Sequence, residues 1–158
     1  MKKVAYFSIW LAWALPIVWT LSIMTMSGNL GAPANTFVIF HWVMSWFTTA
    51  LDSDTLNLYH FYCRKVLHVI CYGLLTILWF RAWMVSFPER LKTNTFLALG
   101  LTLMVAAADE GRQYFVPART ASFWDIGLDM SGGIFFLFLI ACGWKFRNRP
   151  STTAPPPP

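Results

Sequence analysis

The chain has 158 residues, enough for one domain. Apolar types make up 57% of it and charged types only 12%, about half the usual charged share, which excludes an ordinary soluble protein. A net charge of +5 carried by no basic run excludes a nucleic-acid surface, and Lys and Arg stand instead at the ends of apolar stretches, as membrane orientation requires.

The N-terminus, Met1-Lys2-Lys3 before an apolar run, looks like a signal peptide. The uncharged run from Val4 to Leu51 is far longer than such a peptide's apolar core, and no A-x-A site ends it, so an uncleaved first helix is expected. A crossing takes about 20 apolar residues. Four segments qualify: Val4 to Met26, interrupted by Pro16, which should kink it; Tyr62 to Met84; Leu91 to Phe115; and Phe123 to Trp144. After the first comes a breaker cluster, Ser27 to Pro33, and then an uncharged stretch from Thr36 to Leu51. As a helix that stretch would reach only about 24 Å, so it is expected to lie at the interface or to re-enter. Beyond Trp144 a basic cluster leads into a tail ending in prolines, so the membrane domain is expected over 1–144 and a disordered cytoplasmic tail over 145–158. The expected fold is an all-α integral membrane protein with four transmembrane helices and one short interfacial or re-entrant helix.

Basic residues give this bundle a direction. Lys2 and Lys3, then Arg81, Arg90 and Lys92, then Lys145, Arg147 and Arg149 fall on one side of a four-span chain, and that side is expected to be cytoplasmic, with both termini. A fifth span through 36–51 would split these groups. The remaining basic residues share the other face with every acidic residue except Glu89. A multi-pass protein of the inner cell membrane, polar at its outer end, is the expectation. Polar residues are read as absent from the inner half, which argues against a continuous conduit. Cys63, Cys71 and Cys142 are too scattered for a zinc pattern or a disulfide framework and are expected to be small buried residues; no metal or other cofactor is expected.

The outer polar residues fall into three groups. Arg64, His68 and Tyr72 stand at i, i+4, i+8 on one face of the second span, beside Lys65. Arg64 is expected to snorkel to lipid headgroups, whereas His68 lies too deep for that and should face inward. Asp109, Glu110, Arg112 and Gln113 end the third span, with Asp109 and Gln113 sharing a face; their plain alternative is a solvated helix end. Asp125 and Asp129, at i, i+4, open the fourth span, and Asp129 needs a partner among Arg119, Arg64, Lys65 and His68. Ser131-Gly132-Gly133 follows and reads as a close helix contact.

Taken in order, these residues resemble the VanZ-like family, named for a membrane protein associated with low-level teicoplanin resistance. The resemblance spans roughly 36–140. It rests on Arg64-Lys65-x-x-His68-x-x-x-Tyr72, on Asp109-Glu110-x-x-Gln113-x-Phe115-x-Pro117-x-Arg119, and on Asp125 and Gly132 at the expected spacing. Ala118 replaces the family's usual Gly, and Asp129 stands where Asn is usual, which adds a negative charge. The resemblance implies an envelope protein whose outward pocket binds an envelope lipid, a cell-wall precursor or a glycopeptide, contributing to antibiotic tolerance; membrane lipids are its expected partners. The pocket residues are Arg64, Lys65, His68, Tyr72, Asp109, Glu110, Gln113, Arg119, Asp125 and Asp129. The alternative is a membrane enzyme acting on a lipid or lipid-linked substrate, with His68 or Glu110 as general base and Asp109 orienting it. No nucleophile motif, H-E-x-x-H or phosphate loop accompanies these residues.

Overall fold

A computed structural model describes residues 2–48, 51–117 and 122–147. These form five α-helices joined by short turns: α1 (Lys2–Met26), α2 (Pro33–Met44), α3 (Ser53–Ser86), α4 (Leu91–Tyr114) and α5 (Phe123–Arg147), with one 3-10 turn at Asn29–Gly31. Four of them, α1, α3, α4 and α5, are long and apolar enough to cross a membrane. The proline tail, residues 148–158, lies outside the described residues, and α5 itself continues through Lys145 to Arg147. Helix α1 runs unbroken through Pro16.

Two boundaries differ from the sequence reading. Helix α3 starts at Ser53, nine residues before the expected Tyr62. Asp52 supplies the reason: its carboxylate accepts a hydrogen bond from Thr55 N at 3.1 Å and caps the first turn. A search for apolar runs overlooks such a polar start. At 34 residues α3 is about 51 Å long against a hydrocarbon thickness of about 30 Å, so several of its turns exceed one crossing. The short helix is α2, Pro33–Met44, rather than 36–51. Pro33 presets its first turn, and Ser45 Oγ closes its end on Trp42 O at 2.7 Å. Its 12 residues reach about 18 Å, too short for a crossing. It docks on α3 through His60, which lies 3.1 Å from Thr36 Oγ1 and packs against the rings of Phe37 and Phe40.

Helix α3 is the centre of the bundle. It packs against α5 most extensively, then α4, then α1, while α1 barely reaches α4. The α3–α5 seam is tight because glycines line it. A Cβ on Gly132 would lie 2.2 Å from Val69 O, one on Gly133 2.5 Å from Thr76 Oγ1, and one on Gly73 2.5 Å from the Phe136 ring. In hydrocarbon, where burying apolar surface gains nothing over lipid, such backbone approach and its dispersion contacts are what hold helices together. Large apolar side chains such as Trp10, Phe96 and Phe138 point outward over the helix lengths, the reverse of a soluble bundle. Cys63 is exposed and Cys71 and Cys142 are half-buried, so the expectation of three buried cysteines does not hold; small residues can face lipid at no cost.

Away from the polar end, Trp13 of α1 inserts edge-on against Trp83 (4.9 Å, 77°) and Trp79, and its Nε1 donates to Ser86 Oγ at 3.0 Å. Polar groups are buried in this half too, contrary to expectation. Thr76 of α3 and Thr102 of α4 share a 2.9 Å hydrogen bond, and Asn94 Nδ2 donates to Phe87 O at 2.7 Å. These uncharged side chains leave no mark on a charge map, and Asn94 Oδ1 is buried with no hydrogen-bond partner among the described residues.

The seam predicts a sharp contrast between two glycines of α5. Gly132→Ala forces a methyl into the α3 backbone and is expected to destabilise the protein by about 1–3 kcal/mol. Gly143, whose Cβ would meet nothing within 4 Å, is expected to accept alanine without loss. Thermal unfolding of both variants in detergent checks this; equal melting would mean that the seam is not tight.

Candidate functional site

Near its N-terminal half, α3 presents Arg64, His68 and Tyr72 in one stripe, as their spacing predicts. The three find different partners. Arg64 does not reach for headgroups: its Nη1 donates to Gly31 O and to Thr36 Oγ1, both at 2.8 Å, tying the 3-10 turn and α2 onto α3. The reason is proximity, since the breaker cluster folds its free carbonyl directly over this arginine. His68 Nδ1 lies 3.2 Å from Asp129 Oδ1 of α5. Tyr72 donates its hydroxyl to Asp109 Oδ2 of α4 at 3.0 Å, and its ring stacks at 6.1 Å on His68. Lys65, on the neighbouring face, pairs with Asp125 at the start of α5.

The C-terminal turns of α4 complete the junction. Gln113 Nε2 donates to Asp109 Oδ2 at 3.0 Å, one turn away on the same face. Glu110 points the other way, and its Oε2 accepts from Ser122 N at 2.8 Å, fastening the start of α5 to the end of α4. Arg112 donates to Met24 O at the end of α1 and lies against Gly28. A solvated helix end is therefore excluded, for Asp109, Glu110 and Gln113 are 2%, 4% and 4% exposed. Arg119 lies outside the described residues. Of the described candidates for Asp129, which are Arg64, Lys65 and His68, it meets His68.

Beside this junction lies a cavity of about 200 Å³. Its polar wall includes Arg64, His68, Tyr72 and Asp109; its apolar wall includes Ile23, Met26 and Leu67. Five of the expected and described pocket residues are not in its lining: Lys65 and Asp125 in their ion pair, Glu110 at the α4–α5 joint, and Gln113 and Asp129, which meet Asp109 and His68. Thr36 and Ser27 line the cavity and His60 supports Thr36 from behind, yet sequence reading passed over all three. His60 did carry a signal, since it extends the Arg64, His68, Tyr72 stripe by one more turn. Thr36 and Ser27 carried none.

The carboxylates at the junction are incompletely paired. Asp129 is fully buried, and the protein donors reach one oxygen each of Asp109 and Asp129. Asp109 Oδ1 and Asp129 Oδ2 have no hydrogen-bond partner among the described residues, and neither has Glu110 Oε1. A buried carboxylate oxygen without a donor is costly, so these atoms call for a ligand group or an ion. One donor atom each from His68, Asp109 and Asp129 lies within 4.8 Å of the others. Chemically, the arrangement can accept hydrogen bonds from hydroxyl or amine groups, offer Arg64 to an anion, and hold His68 in place by a carboxylate.

No curated protein and no solved structure matches this chain. A family model does, over residues 3–144, which takes in all four long helices and the polar junction between them and extends the resemblance of 36–140 back through α1. The chain belongs to the VanZ/LLP1 family.

Proposed function

We propose that this protein is a cell-envelope component whose polar pocket faces outward from the inner membrane and holds an amphiphilic envelope ligand. A lipid, a lipid-linked cell-wall precursor and a glycopeptide all share the required chemistry, and retention of such a molecule is the route by which the protein would contribute to antibiotic tolerance. The observation that carries this reading is a cavity of about 200 Å³ whose lining combines apolar Ile23, Met26 and Leu67 with polar Arg64, His68 and Asp109. That volume takes a headgroup and the first part of a chain, with anionic oxygens toward Arg64 and hydroxyl or amine donors toward Asp109.

Binding of phosphatidylglycerol, a polyprenyl-linked precursor and a glycopeptide to the purified protein in micelles tests the proposal. At least one is expected to bind saturably. Leu67→Trp, which fills the apolar side, and Arg64→Gln, which removes the cation, are each expected to weaken it by about tenfold, the equivalent of about 1.4 kcal/mol. Absence of saturable binding by all three ligands, or wild-type affinity in both variants, would sink the reading. The outward direction has its own check. Cys63 is exposed near this end of α3. An impermeant thiol reagent is expected to label it in intact cells, and labelling only after permeabilisation would reverse the orientation.

A second reading, a membrane enzyme for lipid-linked substrates, is favoured by one contact. Asp129 holds His68 through Nδ1, and His68 lines the cavity, as a general base must. Glu110 fits that role poorly because it fastens α5 to α4. For an enzyme, His68→Gln is expected to abolish turnover of a lipid-linked substrate while ligand retention and membrane levels persist. Retained turnover would exclude His68 as the base.

A further inference from the structure

The pocket reading uses the cavity's lining but leaves the depth of the junction unexplained. There the three helices each contribute one donor residue: His68 from α3, Asp109 from α4 and Asp129 from α5, with donor atoms within 4.8 Å of one another. Asp109 is 2% exposed and Asp129 is fully buried. Tyr72 and Gln113 both direct their protons to Oδ2 of Asp109, and His68 addresses Oδ1 of Asp129. The other oxygens, Asp109 Oδ1 and Asp129 Oδ2, are buried with no partner among the described residues. The lysine of the neighbourhood, Lys65, is engaged by Asp125.

Two ionised carboxylates this close and this dry repel each other and lose their hydration, a cost relieved by a proton on one of them or by positive charge between them. A single imidazole supplies at most one unit of it, whereas a divalent cation supplies two and needs the kind of unpartnered oxygen found here. The hydrogen bonds from Tyr72 and Gln113 fix the Asp109 carboxylate through one oxygen and leave the other free, which is how a ligating carboxylate is commonly oriented. We propose that His68, Asp109 and Asp129 together form a site for one divalent cation of the zinc or manganese class.

The donor set selects the class. One imidazole nitrogen with two carboxylate oxygens suits zinc, manganese or ferrous iron, whereas calcium and magnesium favour all-oxygen sites. Bonds of about 2.1 Å would draw the donors to about 3–3.5 Å apart, a contraction within the reach of side-chain rotation. Three protein ligands leave coordination positions open, and because His68 and Asp109 line the cavity, the open positions face it. The site stands independently of which amphiphile, if any, the cavity holds.

Full-length protein in detergent, stripped with a chelator and dialysed against Zn²⁺ or Mn²⁺, tests this by metal analysis and by electron paramagnetic resonance of Mn²⁺. About one equivalent per chain is expected, with nitrogen hyperfine coupling from the imidazole. Asp109→Asn and Asp129→Asn are each expected to lower affinity by about tenfold or more, and His68→Gln to remove the nitrogen coupling. Asp125→Asn, outside the three, is expected to retain the metal. Circular dichroism of each variant separates lost metal from lost fold; should the Asp variants unfold, the nitrogen coupling of the wild type and its loss in His68→Gln decide. Absence of stoichiometric metal in the wild type, or wild-type affinity in folded triad variants, would overturn the site. Repeating the amphiphile titration with chelator present keeps this outcome separate from that of the pocket.

Discussion

The close approach of the α5 backbone to α3 is the constraint on which the remaining arrangement depends. Asp129, Gly132, Gly133 and Phe136 lie on one face of α5, and Val69, Gly73 and Thr76 lie on the face of α3 that meets it. With hydrogen at positions 132 and 133, the helices touch backbone to backbone. Asp129, one turn earlier on α5, then comes within 3.2 Å of His68. A wider seam would leave a carboxylate in the middle of the bundle with nothing to meet it. The same closeness lets α4 pack where Tyr72 reaches Asp109, so the three-helix junction follows from a shortage of side-chain volume at two positions.

Polar contacts then close the end of the bundle that packing alone would leave open. Arg64 binds the chain after α1, Arg112 binds the last turn of α1, Glu110 binds the first turn of α5, and Lys65 pairs with Asp125. The Glu110 contact spans 12 residues, and the other three join segments 33 or more residues apart in the chain. At the opposite end aromatic packing of Trp13 against Trp79 and Trp83 does the corresponding work for α1. Helix ends that would expose carbonyls are thereby met by side chains from a neighbour.

The helical architecture was legible because its cause is local: twenty apolar residues specify a crossing wherever they stand. Much of the site was legible too, for the spacing of Arg64, His68 and Tyr72 defines a face without reference to any partner. What could not be read was the pairing across helices. Nothing in the order of residues says that Arg64 turns toward Gly31 rather than outward, or that Glu110 serves the α4–α5 joint while its neighbour Asp109 faces the cavity. Those outcomes depend on which helix lies beside which. The start of α3 escaped for a different reason, since Asp52 acts through a hydrogen bond and leaves no trace in hydropathy.

The apolar wall of the cavity has a consequence for how anything reaches it. Leu67 and Met26 belong to that wall and are also 52% and 58% exposed on the flank of the bundle, where hydrocarbon chains would surround them. Under the proposed function, an occupant dissolved in the bilayer would therefore arrive sideways, by diffusion in two dimensions. Its occupancy would follow its mole fraction among the lipids, and a scarce molecule that partitions strongly into the membrane would compete there on terms that its aqueous concentration does not reveal.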